Sequence, residues 1–102
     1  MRDVATLRVE DFEPLVGDRF TASIEDVPTI DLELLSAEPH QTGSDDIVAF
    51  TVLFRGPDEP GFGQGTVVLE HRELGRLELF LVAVGQDDGG RRYEAVFTRK
   101  AK

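Results

Sequence analysis

Apolar residues in this chain return at every second position, in short stretches separated by clusters of glycine, proline and aspartate. A period of two sends alternate side chains to opposite faces of an extended strand, whereas an amphipathic helix needs a period near 3.6. The pattern therefore predicts an all-β protein and excludes a helical bundle. In Arg19 to Ile24, Phe20, Ala22 and Ile24 alternate with Arg19, Thr21 and Ser23. In Ile30 to Ala37, Ile30, Leu32 and Leu34 lie on one side and Asp31 and Glu33 on the other. The alternation slips at Leu35, which predicts a bulge or a strand end.

Two stretches break the rule in an informative way. Ile47 to Arg55 opens with IVAFTVLF, and Leu77 to Val84 contains LFLVAV, so both are apolar on their two faces. Such strands are expected to be buried on both sides. Thr66 to His71 and Arg92 to Thr98 complete the set, the latter with Tyr93, Ala95 and Phe97 set against Glu94, Val96 and Thr98. Short turns at HRELG, where Gly75 can take a left-handed conformation, and at QDDGG separate the last three strands. Six antiparallel strands of this kind predict a meander, closed into a small barrel or folded into a sandwich. A short helix is expected before them, with Asp11 as N-cap for Phe12 to Val16, Pro14 in the first turn and Gly17 as the stop. Its Phe12, Leu15 and Val16 would close one end of the sheet or barrel.

A chain of 102 residues supports a single domain, here an N-terminal segment (1–18), the β unit (19–98) and a basic tail (99–102). With no cysteine, it has no disulfide framework, thiolate metal site or cysteine nucleophile. The net charge of −9 lies entirely in residues 1–46, with twelve acids and three bases, while residues 47–102 carry eight of each. That balance argues against nucleic acid and anionic membranes as partners, and no apolar run reaches the length of a spanning helix. The charged N-terminus lacks the apolar stretch of a secretory signal, so cytoplasmic synthesis is expected, with incorporation into an extracellular or phage-like particle left open. Arginine supplies nine of the eleven bases, a bias that accords with a GC-rich bacterial genome.

Chemistry-bearing constellations are sparse. His40 and His71 lie on separate segments, without a second histidine or an acid at helical spacing, so no metal site is expected. His71, between Glu70 and Arg72, reads as an ordinary surface histidine, and none of Ser23, Ser36 and Ser44 stands in a nucleophile elbow. The acidic pairs Asp45–Asp46, Asp58–Glu59 and Asp87–Asp88 sit in turns, where aspartate bonds to nearby backbone. GFGQG imitates a phosphate-binding loop but precedes a strand rather than a helix. No catalytic residue and no cofactor is expected.

The two greasy strands point to contacts instead. Their outer faces need cover, either from the N-terminal segment through Val4, Leu7, Val9, Phe12 and Leu15 or from another subunit. A protein partner or self-association would then use Leu53, Val82 and the glycine-rich loop with Arg55, Phe62 and Gln64, together with Tyr93. Phe62 would either tuck back onto the domain or protrude as an anchor. An alternative is a small ligand-binding module, for carbohydrate among other ligands, with a mouth formed by Arg55, Phe62, Gln64 and Tyr93.

The segments FEPLVG (12–17), LFRGP (53–57), QGTVVLEHRELG (64–75), LFLVAVG (79–85) and YEAVF (93–97) resemble a family of small bacterial β domains. Where relatives carry an aromatic after QGT and a proline in LFLVPVG, this chain has Val67 and Ala83. The resemblance implies no activity and no catalytic residues. Genes of that family often stand beside those for phage-tail-collar-like and tail-fibre-like proteins, which implies a non-enzymatic structural or accessory role in a phage-tail-like or appendage assembly.

Overall fold

Strands that alternate so regularly bury one face by curling the sheet onto itself. The computed structural model describes residues 7–24, 27–40, 43, 46–57, 63–87 and 89–100. Its strands are β1 (Arg19–Ile24), β2 (Val27–Pro39), β3 (Ile47–Gly56), β4 (Gln64–His71), β5 (Gly75–Asp87) and β6 (Gly90–Lys100). All neighbours are antiparallel, and the sheet closes into a ring in the order β1-β2-β3-β6-β5-β4. Strand identity follows the sequence pattern closely, and the slip at Leu35 is a register shift between Leu34 and Ser36. Gly75 takes a φ of 88° at the start of β5, as its turn requires.

The order of the strands is not that of a simple meander, which would join β3 to β4. Instead β3 pairs with β6 from Ile47↔Lys100 to Gly56↔Arg91, and β4 lies against β1. The glycine- and proline-rich connection after Gly56 is too long for a tight hairpin, which frees β4 from its predecessor. Strands β4-β1-β2-β3 thus form a Greek key, with that connection as its long crossing. The C-terminal strand also runs further than the alternation suggested. Arg99 and Lys100, expected in a tail, belong to β6, and the Arg99 guanidinium donates to the Leu7 carbonyl at 3.1 Å.

Inward positions fill the ring. Phe20, Leu32, Leu34, Phe50, Val52, Phe54, Leu69, Leu77, Leu81 and Tyr93 are essentially inaccessible to solvent. Phe50 and Phe97 stack across β3 and β6 at 4.4 Å between ring centroids, and Phe20 meets Phe54 edge-on at 5.3 Å. Each large side chain buried in this way contributes about 1.5–3 kcal/mol by transfer from water.

A helix α1 (Val9–Phe12), continued by a single 3-10 turn (Glu13–Leu15), plugs one end. It begins earlier than expected because Asp11 caps from the third helical position: its carboxylate accepts the Arg8 N–H at 2.8 Å. Phe12 reaches Phe50 and Phe97 at 6.0 and 5.7 Å, and Leu7, Phe12 and Leu15 are buried, while Val16 is left exposed. Residues 7–15 therefore close the ring's end rather than crossing its outer face; Val4, with the rest of residues 1–6, lies outside the described residues.

His71 contradicts its surface assignment. It is buried beside Phe20, with ring centroids 4.6 Å apart. Its Nδ1 accepts the N–H groups of Glu73 and Leu74 at 3.1 and 3.2 Å, which leaves the ring proton on Nε2 to be donated to Asp18 at 2.9 Å. One imidazole thus pins the β4–β5 turn to the entry of β1. Sequence spacing gave no sign of it, because 53 residues separate the partners.

Two pairs of substitutions test these closures by chemical denaturation. His71→Leu leaves two turn N–H groups without an acceptor and should cost about 2–3 kcal/mol, whereas Asp18→Asn keeps an acceptor for Nε2 and should cost less than about 1 kcal/mol. Gly90 has a φ of 128°, and a Cβ there would overlap the Gly56 carbonyl. Gly90→Ala should therefore lower stability by about 2–4 kcal/mol, against about 1 kcal/mol for Gly43→Ala, where the backbone is also left-handed but space is open.

Candidate functional site

With the interior filled by alternate residues, the other half of each apolar strand must face outward. On β5 these are Glu78, Phe80, Val82 and Val84, and on β6 they are Arg92, Glu94, Val96 and Thr98. The pairings Thr66↔Phe80, Gln64↔Val82, Val82↔Glu94 and Leu53↔Glu94 knit them into one surface across β4, β5, β6 and β3. A register shift between Ala83 and Gly85 makes Val84 an extra residue in its strand, turned outward with its neighbours.

That surface is apolar and open. Phe80 is 54% exposed, Val82 36%, Val84 50% and Val96 61%. Expected shelter over the outer face of β5 is absent among the described residues. On β3 the outcome is intermediate: Ala49, Thr51, Leu53 and Arg55 are half-buried between β2 and β6. The four exposed side chains together form a patch on the order of 300–400 Å², a size at which patches on monomers are often functional. Charges border it at both ends, and one, Glu94, stands within it. Glu78 stands at one end and Arg92 with Arg55 at the other, with Glu94 between Leu53 and Val82.

The sequence-selected residues separate into distinct groups. Leu53 and Val82 belong to this surface, and Arg55 stands at its edge, its Nε buried without a hydrogen-bond partner. Gly89 packs so closely on the Arg55 guanidinium that a Cβ would come within 3.1 Å of it. Gln64 is exposed on β4, with β5 and β6 between it and Arg55. Tyr93 is fully buried, because it occupies the inward phase of β6 opposite Phe54. Phe62 lies outside the described residues. The mouth imagined from Arg55, Phe62, Gln64 and Tyr93 is thus not assembled by its three described members. Sequence reasoning missed Phe80, Val84 and Val96, although alternation along β5 and β6 was sufficient to place them beside Val82.

Elsewhere the surface offers several open grooves, two of which adjoin Arg55 and His40, singled out in the sequence. One, of about 500 Å³, runs past Arg19, Asp31, Glu33, Arg55 and Gly89, and its mixed charges offer no aromatic stacking face. The other, of about 400 Å³, lies beside α1 between Arg8, His40, Phe50 and Arg99. The His40 ring bonds Thr51 Oγ1 across β2 and β3. Among the described residues, no group of three or more His, Asp or Glu side chains gathers to hold a metal ion. No helix among them is long and apolar enough to cross a membrane.

A family model with the description Domain of unknown function (DUF6916) matches residues 7–97. No curated protein and no solved structure matches the chain.

Because the patch side chains are exposed in the single chain, they should be dispensable for its folding. In thermal denaturation at low concentration, Phe80→Ser should shift stability by no more than about 0.5 kcal/mol, whereas its inward neighbour Leu79→Ala should cost about 2–4 kcal/mol.

Proposed function

The chain belongs to this family of unknown function, and from that premise we propose that it is a non-enzymatic contact domain, working as a structural or accessory part of a larger protein assembly. The observation that carries the reading is the continuous exposed apolar surface of Phe80, Val82, Val84 and Val96 on a ring whose interior is already full. Burying such side chains in an interface removes them from water with the same gain as burying them in a core. Leu53 extends the surface onto β3.

Resemblance to domains encoded beside phage-tail-collar-like and tail-fibre-like proteins supports a phage-tail-like or appendage assembly as the setting. Under this reading the domain is made in the cytoplasm and then incorporated into an extracellular or phage-like particle. Small-ligand binding has weaker support, since Tyr93 is interior and the larger groove has no aromatic wall.

Photo-crosslinking in the source cell tests the reading. A photoreactive amino acid in place of Phe80 or Val96 should give a discrete adduct of higher mass, and one in place of Asp31, on the far side of the ring, should give none. Equal labelling at all three positions, or none at any, would rule the surface out as a contact site.

A further inference from the structure

We infer that the occupant of the β5–β6 surface is a second copy of this chain, packed face to face about a two-fold axis that runs across the strands. This inference rests on the contact reading above and adds the identity of the partner.

The first argument is the placement of charge. In the ring order, β2 stands across from β5, and it carries Asp31, Glu33 and Glu38 exposed on its outer side. The excess of −9 belongs to residues 1–46, whereas residues 47–102, which supply β3 to β6, balance at eight acids and eight bases. Two copies meeting through β5 and β6 keep Asp31, Glu33 and Glu38 of each on the far side from the contact. Any approach through β1 and β2 would instead set acidic faces against each other. Separation across a full domain exceeds the Debye length of about 8 Å at physiological salt, so the remaining repulsion is screened.

The second argument is the order of charges along the patch, which selects one orientation. On β5 and β6 the apolar centre of Phe80, Val82 and Val96 lies between Glu78 on one side and Arg92 on the other, with Arg55 next to Arg92 across β3. Lys100 stands further out, beyond Thr98; Arg76 pairs with Glu70 at 3.7 Å, and Arg92 likewise has an interaction within its own chain. An axis along the strands would bring Glu78 to its own copy and Arg92 to its own. An axis across the strands exchanges the two ends. Glu78 then falls diagonally near the partner's Arg92 in both halves of the interface, and Phe80 packs over Val82. The same exchange lays Val96 over the partner's Glu94, and Glu94 keeps Arg92 and Arg55 as neighbours on its own side.

The third argument is area. Two facing patches remove roughly 600–800 Å² of apolar surface, which with the polar rim falls at the lower end of stable interfaces. The pair is therefore a reversible dimer, with a dissociation constant of about 1–100 µM rather than an obligate union.

Sedimentation equilibrium over a concentration series, with circular dichroism as the check on folding, decides the matter. Wild-type protein should move from monomer to dimer and no further, since a two-fold contact closes on itself. Val96→Lys should remain monomeric throughout. Glu78→Arg should weaken dimerisation by roughly tenfold or more, and Glu78→Arg with Arg92→Glu should restore it to within about threefold. A wild-type monomer at millimolar concentration, or a Glu78→Arg dimer as tight as wild type, would overturn the inference. If the wild type is monomeric while crosslinks from position 80 carry a different protein, self-pairing fails and the contact reading stands. If both experiments are blank, both fail.

Discussion

Closure of the sheet is the constraint on which everything else depends. Antiparallel hydrogen bonding between β3 and β6, and between β1 and β4, joins two three-stranded meanders at both edges and leaves no unpaired row of backbone groups around the ring. Once the ring exists, alternation divides the side chains into those that fill it and those that face away. Phe50 stacked on Phe97, Phe20 against Phe54 and the buried leucines of β2, β4 and β5 leave no place inside for the remaining apolar residues. The outer surface of β5 is greasy because β2-type alternation with polar residues is replaced there by Phe80, Val82 and Val84, to which β6 adds Val96 alone, not because the core overflows.

The ends of the ring are handled separately from its wall. At one end Phe12 and Leu15 act as a stopper, and His71 ties the β4–β5 turn to Asp18. Near Gly56, Gly90 allows the β5–β6 turn to approach the backbone of β3 more closely than any side chain would permit. With the N-terminal segment committed to the end, no described part of the chain is left to cover the wall. This division of labour makes a contact surface on β5 and β6 compatible with a stable single domain.

Much of this was legible in the residues. Period two located all six strands and the slip at Leu35 marked a real bulge, whereas LFLVAV, expected to be buried on both faces, leaves Phe80, Val82 and Val84 exposed on its outer one. What escaped were relations between residues distant in the chain. The pairing of β3 with β6 rather than with β4 joins strands distant in the chain, which local propensity does not encode. The burial of His71 goes with a bond to Asp18, which arrives from the distant segment that enters β1. Tyr93 was selected for its chemistry, when its place in the alternation already assigned it to the interior. Asp11 was recognised as a capping residue but from the wrong side, since a carboxylate can cap as readily from the third helical position.

Solvent accessibility of the valine methyl groups, read by NMR from their relaxation with a soluble paramagnetic agent in dilute protein, tests the central claim most directly. The account predicts strong relaxation at Val82, Val84 and Val96 and near silence at Val52 and Val67, with accessibility at the first three falling as the protein is concentrated. Protection of Val82, Val84 and Val96 at the lowest concentration would contradict it, because their outer face would then be covered by the chain itself.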